Sequence, residues 1–195
     1  MRLRIFRYKN VTSTNDMAIK LIKENKKEFG YVCAETQTKG RGTHGKKWIS
    51  IPGNLFGSLF FPLKKSYPPF NEFSIINPII ISNVIKKFCE KSEINLKFPN
   101  DILINGKKIC GILQELIILN NKRFLIIGIG LNTISDPKIK KKYKSSNIFY
   151  ETKKKPKTEE LMKLIILSYE NFFKNLKSYN YSFFKKKAEF MSISK

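Results

Sequence analysis

Ile102-Leu-Ile-Asn-Gly-Lys-Lys-Ile109 decides the fold class. Asn105-Gly106 sits between two β-branched runs and suits a type I′ turn, so this segment predicts an antiparallel hairpin. Downstream, Ile109 to Leu119 and Arg123 to Leu131 read as two further strands joined at Asn120-Asn121-Lys122. Upstream, Asn54 to Phe61, Tyr31 to Thr36 and the period-two run Leu3 to Tyr8 are also strand-like. Helices are predicted after Ser13, which with Asp16 forms a capping pair, and over Asn71 to Lys91, Glu159 to Leu176 and Phe183 to Met191. Pro78 either kinks the second of these or marks its true first turn. The lysine-rich stretch Pro137 to Pro156 reads as a surface loop or linker. Hairpins rather than regular βα alternation join most strands. The expected class is therefore α+β, a mixed and largely antiparallel sheet with packed helices.

The chain has 195 residues, 42% hydrophobic and 27% charged. Such a chain buries enough surface to fold as a single domain without disulfides or metals. Its longest apolar run, Phe124 to Leu131, is too short to span a bilayer, and the alternating start is not a signal peptide. The net charge of +23 invites a nucleic-acid reading. Arginine, however, occurs only at Arg2, Arg4, Arg7, Arg41 and Arg123, and lysine supplies the other 33 cations. Arginine is the better residue for bidentate recognition of bases and phosphates, so most of the charge reads as a solvated lysine surface. The remainder could steer anions or an acidic protein partner. Cys33, Cys89 and Cys110 are far apart without metal spacing, and the lone His44 cannot complete a zinc site. Buried free thiols in a reducing cytoplasm are the expectation.

Three segments carry chemistry. Gly40-Arg-Gly-Thr-His-Gly-Lys-Lys-Trp48 combines bendable backbone, cations and a stacking face, a set suited to a phosphate and a planar base. A flexible basic surface loop is the plainer alternative. In Lys97-Phe-Pro-Asn-Asp101, Pro99 holds Phe98 extended, and Asn100-Asp101 enter the hairpin whose return strand carries Lys108. Asp101 beside an ammonium would bind a metal–phosphate complex while the lysine neutralises developing charge. An Asn-Asp turn with surface lysines explains the same residues. Ser13-Thr14-Asn15 is the third, more polar than a helix cap requires. Gly128-Ile-Gly130 lacks the third glycine and the helix of a dinucleotide fingerprint, and reads as a strand admitting another backbone closely.

In this order, the segments resemble the biotin protein ligases. The carriers of the resemblance are Ser13-Thr14-Asn15, Gly40 to Trp48, Phe98-Pro-Asn-Asp101, Lys108-Ile-Cys-Gly-Ile-Leu113 and Gly128-Ile-Gly-Leu-Asn132. The resemblance implies a fold like the class II aminoacyl-tRNA synthetase catalytic domain. It implies ATP-dependent ligation of biotin to a lysine of a biotin carboxyl carrier protein through biotinyl-5′-AMP, with ATP and Mg2+ as cofactors. By the same resemblance, Ser13, Thr14, Asn15 and Gln37 bind biotin, together with the loop residues Gly40, Arg41, Gly42 and Thr43. Lys108 bridges the biotin carboxylate and the α-phosphate, and Gly111 lets the backbone approach biotin. Arg41, Trp48, Asn100, Asp101, Lys108 and Asn132 line the nucleotide, Trp48 stacking near adenine and Asp101 serving the metal. Lys108, Arg41 and Asp101 are the implied catalytic set. Two positions depart from the family pattern: Thr43 stands where some members carry a second arginine, and Phe98 replaces the usual tryptophan. The resemblance further implies a single catalytic domain over 1–195, with no preceding DNA-binding domain and no C-terminal β-barrel. No specific nucleic acid and no membrane partner is implied, and a homodimer is left open. A lipoate or octanoate ligase of the same fold, a catalytically weak biotin-binding domain and a basic nucleic-acid module are the competing readings.

Overall fold

Asn105 and Gly106 take φ of 50° and 74°, and Asn120 and Asn121 take 48° and 61°. Each pair turns the chain in two residues of left-handed backbone, as type I′ hairpins require. The computed structural model describes residues 2–137 and 144–193. Its strands are β1 (Ile5–Val11), β2 (Gly30–Gln37), β3 (Leu55–Pro62), β4 (Ile94–Lys97), β5 (Asp101–Ile104), β6 (Lys107–Leu119) and β7 (Lys122–Leu131). They form one sheet in the order β1-β2-β3-β7-β6-β5-β4. Only β1 and β2 pair in parallel, and every other neighbouring pair is antiparallel. Parallel pairing needs a crossover, here α1 (Thr14–Lys23). The mixed, largely antiparallel sheet matches the expected class.

The sheet is covered on both faces. A small cluster of Ala18, Leu21 and Ile22 from α1 packs on Val32, Phe60, Phe124 and Ile126. The opposite face carries the main core, with Leu59, Phe61, Ile127 and Ile129 of the sheet packed among α2 (Phe73–Lys86), α4 (Thr158–Lys174) and α5 (Tyr181–Met191). Coverage on both faces explains why β3 and β7 read as continuous apolar runs rather than alternating ones. The α2 helix is apolar nearly all round because it lies inside this layer, with ten of its 14 residues buried. Phe61 meets Phe173 edge-on at 4.7 Å between ring centroids and Phe73 at 5.6 Å.

Several boundaries differ from expectation. The first strand starts at Ile5 and runs on to Val11, while Leu3 is buried and donates its N–H to Glu170 Oε1 (2.6 Å). Pro78 lies inside α2, not in its first turn. It removes the N–H that would bond the Ser74 carbonyl, a loss the surrounding core tolerates. The strand β4 was not anticipated: four residues at a sheet edge are too few for a period to show. Within Pro137 to Pro156, residues 138–143 lie outside the described ones. The rest includes a short helix, α3 (Ile148–Thr152), capped by Asn147, whose Oδ1 accepts from Tyr150 N–H.

One irregularity positions the site. On β5 and β6, Ile102 pairs with Cys110 but Leu103 pairs with Lys108, leaving Ile109 as an extra residue. This β-bulge lets Ile109 and Cys110 both enter the main core, while Lys108 turns toward Asp101 and Trp48 on the other face.

Among the described residues, no helix is long and apolar enough to cross a membrane. Cys33, Cys89 and Cys110 are free, and burial pushes the Cys89 thiol up to about 11.

Phe61→Ala should destabilise the fold by about 3–5 kcal/mol, the range for a large aromatic lost from a packed core. The truncation of Phe190, which is 92% exposed, should fall within about 0.5 kcal/mol of wild type. Urea unfolding of the two variants checks both values.

Candidate active site

Gly111, Gly128 and Gly130 leave a bare patch on the face of the sheet that α1 covers. Gly111 pairs with Gly130, and Gly128 lies one strand pair further along. A Cβ on Gly111 would stand 2.6 Å from the Trp48 indole, and one on Gly128 would stand 2.5 Å from Asn15 Oδ1. A Cβ on Gly130 would collide with the same indole. Side chains, not another backbone, therefore occupy the space these glycines leave. This corrects the expectation for Gly128 and Gly130, and it gives Gly111 the task of seating Trp48.

Above this floor opens a cleft of about 380 Å³, a volume within the range of small-molecule sites. Ser13, Thr14, Asn15, Gln37, Arg41, Gly42, Thr43, Trp48, Asn100, Asp101, Lys108, Gly111 and Asn132 all line it. Gly40 does not. It is buried behind the loop, its carbonyl accepting from Trp48 N–H (2.9 Å), and a Cβ there would meet the Trp48 carbonyl. The Gly42 N–H is also spent internally, on the Lys46 carbonyl (2.7 Å). With the Arg41–Lys47 bridge, this folds the loop into a small hairpin rather than an open nest for an anion.

One wall is a continuous polar network. Ser13 caps α1, its Oγ accepting weakly from Asp16 N–H at 3.5 Å. Gln37 Oε1 accepts from Thr14 N–H (2.8 Å) and from the Thr14 hydroxyl (3.1 Å), and Gln37 Nε2 donates to Ser50 Oγ (3.1 Å). The Ser58 hydroxyl donates to Asn15 Oδ1 (2.5 Å), with Thr14 Oγ1 at 2.8 Å. Asn15 Nδ2 donates to Glu115 Oε2 (2.6 Å). Arg41 grips the same carboxylate with both Nη atoms (2.7 and 2.8 Å) and reaches Asp16 Oδ1 at 2.7 Å. Partial burial works against the Arg41 cation, but Glu115 and then Asp16 outweigh it and raise its pKa above the ordinary arginine value.

The other wall is ionic. Lys108 Nζ lies 2.6 Å from Asp101 Oδ1 and 5.6 Å from the Trp48 ring centroid. Asp101 thus reaches Lys108 across the turn, as its spacing allowed. The Asn100 carbonyl accepts from Ile112 N–H (2.9 Å), which ties that corner to β6. Asn132 donates from Nδ2 to the Ser146 carbonyl (3.0 Å). Its Oδ1 and the Trp48 Nε1–H are buried without a protein partner. Orphaned buried polar atoms are rare, and an acceptor and a donor left over in one cleft are suited to a polar ligand.

Two contributors escaped the sequence reading. Ser58 is a fully buried hydroxyl in the apolar run Leu55 to Pro62, and its polarity in that setting was the available signal. Glu115 interrupts Ile112 to Leu119 as a carboxylate in a strand centre, but its two partners are 100 and 74 residues away in sequence.

A family model described as the biotin/lipoate A/B protein ligase family matches residues 8–132. The bifunctional ligase/repressor BirA of Bacillus subtilis is 35% identical over 133 residues, 65% of this chain and 39% of that protein. The chain thus spans about two fifths of the length of BirA. Among solved structures, the biotin protein ligase of Aquifex aeolicus in complex with biotin and ATP superposes with a TM-score of 0.80 at 27% identity, covering 97% of this chain and 78% of that one. The Leishmania major biotin protein ligase in complex with biotinyl-5-AMP reaches a TM-score of 0.83 at 24% identity, covering 97% and 81%, a likeness of fold. With its bare-floored cleft and its match from Tyr8 to Asn132, the chain belongs to the biotin/lipoate A/B protein ligase family and carries the catalytic fold of the biotin protein ligases.

Proposed function

We propose that this chain joins biotin to a lysine of a biotin carboxyl carrier protein, using Mg-ATP. The observation that carries the reading is the convergence of two unlike walls on one cleft: a rigid neutral hydrogen-bonding set around Thr14 and Gln37, and the Lys108–Asp101 pair beside Trp48. The first suits a cyclic urea, which is neutral and offers both donors and an acceptor. The second suits anions and a flat base.

In the first step, a biotin carboxylate oxygen attacks the α-phosphorus of ATP. The bond to the bridging oxygen of the β-phosphate breaks, and pyrophosphate leaves. Two anions must approach each other, so a fixed cation between them lowers the barrier, and Lys108, which lines the cleft beside Asp101, is suited to that role. Asp101 holds the ammonium in position until phosphate oxygens compete for it. In the second step, a carrier lysine amine attacks the acyl carbon. The bond to the AMP oxygen breaks, AMP departs, and the nitrogen loses its proton. Excluding water from the mixed anhydride falls to the loop around Arg41 and Thr43. Magnesium enters as part of the nucleotide, since it takes most of its ligands from phosphates and water with one or two carboxylates. Among the described residues no group of three or more His, Cys, Asp or Glu gathers, and Asp101 is the carboxylate lining the cleft. The abundant lysines add attraction for an acidic carrier. Free, mostly buried thiols fit a reducing cytoplasm.

Purified protein incubated with biotin, Mg-ATP and a carrier domain should add one biotin to a single carrier lysine, read by intact mass. Lipoate in place of biotin should add nothing, and a lipoyl gain would move the assignment to the neighbouring activity. Failure to form either adenylate or product would sink the enzyme reading. Lys108→Ala should abolish adenylate formation while circular dichroism and melting stay native, and near-wild-type adenylate would refute its role. Gln37→Ala, which strips Thr14 of its acceptor, should raise the KM for biotin at least about fivefold, since a buried unpaired polar group costs about 1–3 kcal/mol. Initial-rate kinetics at saturating ATP check it.

A further inference from the structure

Glu115 belongs to none of the motifs, yet two of them meet on it. Its carboxylate accepts from Asn15 Nδ2 (2.6 Å) and takes both Nη atoms of Arg41 (2.7 and 2.8 Å). Asn15 is almost fully buried and continues through Ser58 and Thr14 to Gln37 and Ser50. The chain of hydrogen bonds therefore leaves the glycine loop at Arg41, crosses β6, α1, β3 and β2, and ends at Ser50, two residues beyond that loop. Asp16 adds a second carboxylate to Arg41 at 2.7 Å. Within this circuit, Glu115 is the member that joins the loop to the wall assigned to biotin. It is also placed to do so rigidly, since it stands in the middle of β6, paired across to Ile126 of β7.

We infer that Glu115 is a positioning residue that couples closure of the glycine loop to the polar wall, through its simultaneous hold on Arg41 and Asn15. This rests on the biotin-ligase reading for its ligand, but the coupling itself is a property of the free protein. Bidentate pairing fixes the plane of the guanidinium as well as its distance. The Arg41 side chain remains 39% exposed and that of Glu115 23%, so solvent weakens the pair without dissolving it. A loop so held closes over the cleft with one residue on each side already docked. Loss of the carboxylate leaves Arg41 held by Asp16 alone and the Asn15 amide without its acceptor.

The test compares wild type, Glu115→Gln and Glu115→Ala. Without any ligand, trypsin should nick the loop after Arg41, Lys46 or Lys47 about tenfold faster in Glu115→Ala than in wild type, the scale of one lost charge-assisted hydrogen-bonded pair. Glu115→Gln, which keeps an acceptor for Asn15 but loses the charge, should fall between them. With biotin and Mg-ATP, both variants should show a raised KM for biotin and faster escape of the adenylate, with kcat for adenylate formation within about threefold of wild type, because Lys108 is untouched. A variant that is merely less stable would instead lose kcat through its unfolded fraction and keep its KM. Unchanged nicking, or a kcat loss at constant KM, overturns the coupling. Faster nicking alongside a wild type that makes no adenylate would leave the coupling standing and overturn the functional reading.

Discussion

The Trp48 indole lies where two neighbouring strands carry no side chains, and the cleft depends on that contact. An ordinary side chain at Gly111 or Gly130 would fill the space the ring takes. The ring in turn carries the end of the glycine loop, whose backbone is pinned by Trp48 N–H to the Gly40 carbonyl. It also presents its face to Lys108 at 5.6 Å, where an aromatic quadrupole favours a cation. Floor, loop and lysine are thus stacked in sequence. Removal of the glycines would disturb all three before any ligand is considered.

The two cores divide the labour of holding this stack. The larger one, behind the sheet, contains the long helices and most of the buried apolar surface. The smaller one fastens α1 over one end of the opposite face and leaves the other end open. The open end is the cleft. The sheet is therefore a rigid plate with its stability invested mainly on one side and its chemistry on the other. Binding groups on strands and a helix N-terminus keep their positions more exactingly than groups on loops would. Arg41 and its neighbours lie on a loop outside that plate, tethered to it by hydrogen bonds.

Much of this was legible in the chain. Asn105-Gly106 announced its hairpin because few residues tolerate left-handed backbone in succession. Ser13 announced α1 because a capping hydroxyl has few other uses at that spacing. The motif residues pointed to the cleft, and all but Gly40 among those named line it. What escaped depended on tertiary pairing. Ser58 and Glu115 are ordinary polar residues until a strand register sets them opposite Asn15 and Arg41. The glycines of β7 were read as making room for backbone, since periodicity cannot say what approaches a bare strand. The four residues of β4 gain their strand identity from β5, not from any pattern of their own.

The bulge at Ile109 has a consequence for how such chains are recognised. In a regular strand, positions three apart look to opposite faces. Lys108 and Gly111 are three apart, yet both contribute to the same cleft, because one surplus residue between them reverses the parity. The spacing Lys-x-x-Gly is therefore a signature of distorted geometry written into a linear string. With the bulge kept, a lysine one place nearer would take the core position of Ile109, and with the bulge lost it would stand on the face of Gly111. An insertion or deletion across these four positions would switch the face on which Lys108 stands relative to Gly111, while the two middle residues, Ile109 and Cys110, belong to the main core.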